Sequence, residues 1–127
     1  MAITKKAKYP RICKQGKTYK DAIGYQGSNG EYLDLSDYTG RIEVRSQAPS
    51  ATSVAGDEDV LITLTTENGM ITIDGGIVRM EIDADTTATF PIGPYLWELE
   101  LVRSDGYIPY IMEPSAFKVT QEITLNG

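Results

Sequence analysis

Residues 71–82 read ITIDGGIVRMEI, and their alternation decides the fold class. Ile71 and Ile73 share one parity against Thr72 and Asp74. After Gly75-Gly76, Val78, Met80 and Ile82 share a parity against Arg79 and Glu81. A period of two belongs to a strand with one face in a core and the other in solvent. The Gly-Gly step supplies the positive φ that a two-residue hairpin turn needs. The stretch is therefore a β-hairpin.

The same period recurs on both sides of it. Ile42 and Val44 alternate with Arg41, Glu43 and Arg45, and Val60, Ile62 and Leu64 alternate with Leu61, Thr63 and Thr65. Tyr95, Trp97, Leu99 and Leu101 alternate with Leu96, Glu98 and Glu100. Phe117, Val119, Ile123 and Leu125 oppose Lys118, Thr120, Glu122 and Thr124. Asn29-Gly30, Asn68-Gly69 and Asp105-Gly106 are further turn dipeptides. Strands are expected near 17–26, 40–47, 59–66, 69–74, 77–83, 94–103, 107–112 and 115–125. The segment 83–90 is the one place for a helical turn, with Asp83 or Asp85 as N-cap and Pro91 as its stop. Residues 48–58 (APSATSVAGDE) read as a long exposed loop. The expected fold is an all-β antiparallel sandwich of about seven or eight short strands over 15–127, preceded by a basic arm at 1–14.

Length and composition agree. A chain of 127 residues suits one domain and buries enough surface to fold without cross-links. Cys13 is the only cysteine, so no internal disulfide is possible, and synthesis in a reducing cytosol is expected. No apolar run approaches the roughly 20 residues of a membrane helix, and MAITKKAKYP lacks the apolar core of a secretory signal.

Catalytic signals are sparse. With no histidine in the sequence, a Ser-His-Asp or Cys-His arrangement is impossible within the chain. Lysines around Cys13 would lower a thiol pKa, but without a partner base a small buried side chain is the expected role. Asp57-Glu58-Asp59, Asp34 with Asp37, and Asp83 with Asp85 offer oxygen ligands, yet none has calcium-loop spacing, and turn carboxylates are expected. Glu98 and Glu100 share a strand face expected to be solvated, which leaves a carboxylate-pair hydrolase disfavoured. The glycines lack phosphate-loop spacing. No catalytic residue, metal ligand or cofactor is expected.

Charge is divided unevenly along the chain. Lys5, Lys6, Lys8, Arg11, Lys14, Lys17 and Lys20 fall in the first 20 residues with no acid among them, and the remaining 107 carry net −13. The arm has three readings: a solvated tail, a contact to nucleic acid, or a contact to a neighbouring acidic body. The last is preferred over nucleic acid because it uses both halves of the asymmetry. Lys5, Lys6, Lys8, Arg11 and Lys14 are the candidate assembly contacts. Tyr95 and Trp97 fall on core parity, whereas Tyr107 and Tyr110, near the Asp105-Gly106 turn, are candidates for exposed recognition.

Three stretches in order carry a resemblance: QGKTYKDAIGYQGSNGEYLDLSDYTGRIEVR from Gln15, MITIDGGIVRMEIDADTTATF from Met70, and IGPYLWELELVRSDGYIPYIMEPSAFKV from Ile92. Together they resemble small virion proteins of tailed phages and prophages, and the Ig-like N-terminal domain of phage baseplate upper proteins. The matching positions are Leu35, Tyr38, Thr39 and Gly40 at a turn, then Arg41, Glu43 and Arg45 on a strand. Thr86 and Thr87 match a helical turn. Gly93, Tyr95, Trp97, Glu98, Leu99 and Glu100 match a G-x-Y-x-W-E-L-E strand, and Lys118, Val119 and Thr120 a closing one. The resemblance spans about residues 15–125 and leaves the arm outside it. It implies an Ig-like, non-enzymatic virion component, made in the host cytoplasm, that binds other phage structural proteins and forms a homo-oligomer. Neither nucleic acid nor membrane is an expected partner. Tail, baseplate or neck attachment is the leading expectation. Capsid decoration and carbohydrate-binding host recognition are the alternatives.

Overall fold

The computed structural model describes residues 10–46, 60–109 and 111–121. Eight strands and one helical turn follow in order: β1 (Arg11–Lys14), β2 (Tyr19–Gly24), β3 (Tyr38–Ser46), β4 (Val60–Thr65), β5 (Ile71–Asp74), β6 (Ile77–Ile82), α1 (Ala84–Thr87), β7 (Gly93–Arg103) and β8 (Ser115–Thr120). They form a five-stranded sheet, β1-β8-β7-β3-β4, and a three-stranded sheet, β2-β6-β5. This is the arrangement of an immunoglobulin-like sandwich. β3, β7 and β8 take the places of its C, F and G strands, β4 adds a further edge strand, and β2, β6 and β5 form the B–E–D sheet.

The alternation seen in the sequence sets the inner faces. Ile42 and Val44 of β3, Tyr95, Trp97, Leu99 and Leu101 of β7, and Phe117 and Val119 of β8 are buried from one sheet. Ile23, Ile71, Val78, Met80 and Ile82 meet them from the other. The hairpin expected over 71–82 is β5-β6, with Asp74 opposite Ile77 across the turn. Gly75 takes φ +60°, and the turn tucks beneath the 25–35 segment: Tyr25 donates to the Gly76 carbonyl at 2.9 Å and Leu35 to the Gly75 carbonyl at 3.0 Å.

Two features lock the corner between β6 and β7. Asp83 caps α1 by accepting from the Thr86 amide at 2.8 Å, and the fully buried Thr87 hydroxyl donates to the Lys17 carbonyl at 2.8 Å. At the start of β7 the Tyr95 hydroxyl donates back to the Pro91 carbonyl at 2.9 Å. That is the tyrosine corner of immunoglobulin-like domains, with Trp97 two residues on, where antibody domains place a disulfide cysteine.

Three expectations need correction. Residues 11–14 are not arm: β1 lies in the five-stranded sheet, Cys13 is fully buried, and the body therefore reaches back at least to Arg11. The sandwich is not wholly antiparallel either, because β1 runs parallel to β8, with Cys13 opposite Val119. The strand expected at 107–112 does not form: residues 107–109 and 111 lie outside any strand, where Pro109 has no amide to give a ladder. The expected loop at 48–58 and the strand end beyond 121 lie outside the described residues.

Candidate functional site

The outer face of the five-stranded sheet carries the most organised surface chemistry. The pairing registers sort it into rows. Ala116, Leu96 and Arg45 stand side by side across β8, β7 and β3. On one side of that row lie Ile12, Lys118 and Pro94, with Lys14 beyond. On the other side Glu98 is opposite Glu43, and Glu100 opposite Arg41. One end of the face is thus apolar and basic, and the other is dominated by carboxylates.

Hydrogen bonds organise the acidic end unequally. Glu43 is clasped by Arg41 at 2.6 Å and by Arg45 at 2.5 Å. The Arg41 bond, helped by Arg45, holds its carboxyl below the usual range despite partial burial. Glu98 goes the other way: burial, then the charges of Glu100 and Glu113, raise its pKa. Among the described residues Glu98, Glu100, Lys14 and Lys118 have no ion-pair partner. The apolar end is open to solvent, with Ile12 63% and Ile92 57% exposed.

A second concavity, of about 660 Å³, lies against the three-stranded sheet and is lined by Lys20, Thr72, Arg79, Glu81, Asn68 and Met70 among others. Lys20 lies 3.9 Å from Glu81 across it, and Arg79 reaches out to Asp74 at 4.0 Å. Long separations between exposed groups give pairs of little energetic weight.

The candidate residues from sequence are dispersed. Lys5, Lys6, Lys8 and Tyr110 lie outside the described residues. Arg11 is turned to the body, where it pairs with Asp21 of β2, so it does not serve as a free assembly contact. Lys14 is exposed at the end of β1. Tyr107 is 44% exposed, but the Arg103 guanidinium lies 4.7 Å from its ring centre, and Arg103 also binds Asp105 at 2.8 Å. The face on offer to a stacking sugar is already taken by a cation.

Other chemistry is equally local. Burial pushes the Cys13 thiol up to about 11, so its lysine neighbours do not activate it. Asp34 accepts from the Ser36 amide at 3.0 Å and Asp83 caps α1, both as turn carboxylates. No group of three or more metal-ligating side chains occurs among the described residues. Ile12 and Leu96 belong to the organised face but escaped notice in sequence. Leu96 carried a signal, being a large apolar residue on the solvent parity of β7, whereas Ile12 sits on a strand that was not expected. No family model matches the chain, and no curated protein matches it.

Proposed function

We propose that the chain is a non-enzymatic structural module of a tailed-phage virion, acting through contacts with other virion proteins and with copies of itself. Tail, baseplate or neck is the proposed location. One observation carries the proposal. The Gly93–Glu100 stretch, at the centre of the resemblance to Ig-like virion proteins, builds β7, the middle strand of the five-stranded sheet, and Tyr95 within it closes the corner. The same strand sets Leu96, Glu98 and Glu100 on a broad outer face suited to a protein partner, not to a small substrate.

The test is particle composition. Particles induced from the source strain are banded by density, and their proteins identified by peptide mass spectrometry. The chain is expected to stay with the banded particles through repeated purification. Its presence in the lysate but absence from the bands would overturn the proposal.

A further inference from the structure

We propose that the outer face of the five-stranded sheet is a two-fold interface with a second copy of this chain, centred on Leu96 and Ala116, with Lys118 of each copy against Glu98 and Glu113 of the other. The inference deepens the proposed function and rests on it only in the expectation that copies associate.

A two-fold interface is isologous, so a single patch must be complementary to itself. This face has that property because it is bipolar about its middle. Lys118 lies one row from the Ala116–Leu96 row on one side, and Glu98 one row away on the other. Turning a second copy over that central row brings each basic end onto an acidic end. In the central row Leu96 is half-buried and Ala116 exposed, with Ile12 and Pro94 beside them, while Arg45 at the β3 end of the row is held by Glu43. Among the described residues Lys118, Glu98 and Glu113 have no ion-pair partner, so pairing these three across the interface leaves the Arg41–Glu43–Arg45 clasp intact.

The size falls at the lower end of specific interfaces. The five strands run from 4 to 11 residues each, and at about 3.3 Å per residue and about 4.8 Å between strands they give a flat face of roughly 570 Å². Specific interfaces start at about 600 Å² per partner. Charged rows that match only in one orientation would fix the register and suppress wrong pairings.

The experiment is sedimentation equilibrium on the full chain from about 1 μM to 1 mM, with melting followed by circular dichroism to confirm that each variant folds. A reversible dimer is expected. Leu96→Glu should abolish it, with Ala116→Glu on the neighbouring strand as a second variant of the same row. Lys118→Glu should raise Kd about tenfold, since each interface holds the contact twice. Adding Glu98→Lys to Lys118→Glu should restore affinity to within about threefold of the original chain. A monomer throughout the range overturns the inference, as does a dimer indifferent to both Leu96→Glu and Ala116→Glu. Particle composition is read separately. A dimer absent from particles would sink the virion proposal and leave this interface standing, and a monomer present in particles would do the reverse.

Discussion

Arg11 on β1 and Asp21 on β2 form an ion pair that joins the edge strands of the two sheets. The Tyr19 hydroxyl donates to the same carboxylate at 2.8 Å, and the Tyr19 ring meets Phe117 edge-on at 5.4 Å. One side of the sandwich is therefore closed by a polar clasp resting on an aromatic contact. Asp21 is mostly buried, its side chain 16% exposed, so removing it takes the acceptor from the Arg11 Nε and the Tyr19 hydroxyl together. Asp21→Ala should cost about 1–3 kcal/mol, read as a lower urea midpoint at unchanged slope. An unchanged midpoint would mean that the clasp contributes nothing. Deleting residues 1–14 should do far more damage, because it strips β1 from β8 and takes Cys13 out of the core.

The tyrosine corner makes a narrower claim. Tyr95→Phe keeps the ring and removes only the bond to the Pro91 carbonyl. A loss of about 1 kcal/mol is expected in chemical denaturation, the usual net worth of one such bond. A variant as stable as the parent would show that the corner is decorative here.

Glycines 75 and 76 should respond differently to the same substitution. A Cβ on Gly75 meets nothing within 4 Å, so Gly75→Ala suffers only from its φ of +60°, about 1 kcal/mol. A Cβ on Gly76 would stand 2.6 Å from the Leu33 carbonyl oxygen and 3.0 Å from the Leu33 amide nitrogen. That backbone has little freedom to retreat, so Gly76→Ala should cost about 2 kcal/mol or more. Thermal melts of the two variants give the ranking, and the reverse order would contradict the packing of this turn.

Cys13 predicts both a reactivity and an alkaline limb. Fully buried and with its thiol pushed up to about 11, it should resist iodoacetamide at pH 8 in the folded chain and react at once in urea. The fold holds the thiol proton more tightly than the unfolded chain, whose thiol has an ordinary pKa of about 8.5. This contribution is complete below that ordinary value and is lost as pH rises toward about 11. Stability should fall across that window in the parent and fall less steeply in Cys13→Ala. Equal slopes would remove the thiol from the explanation.

Much of this fold was legible because period-two alternation and turn glycines are local signals. They placed the β5-β6 hairpin and the inward parity of Tyr95, Trp97, Leu99 and Leu101, while the cap of α1 stayed open between Asp83 and Asp85 until the structure showed Asp83. β1 was missed for a physical reason. Four residues reading RICK present a single buried side chain, and the strand is held by a parallel ladder to residues more than 100 positions away. At 107–112 the apolar content suggested a strand, but Pro109 interrupts the donors, and the Met112 sulfur instead accepts from the Leu99 amide at 3.4 Å. Parity put Leu96, Glu98 and Glu100 on the outer face, but which residues stand beside them on neighbouring strands depends on the register. Neither Leu96 beside Ala116 nor Lys118 one row from them follows from a linear pattern.

The most direct test of the account is to label intact particles with gold-conjugated antibody raised against the folded chain and image them by electron microscopy. Label on the tail, its baseplate or the neck is the predicted result. Particles free of label, while the same antibody binds the chain in the lysate, would contradict a structural role in the virion.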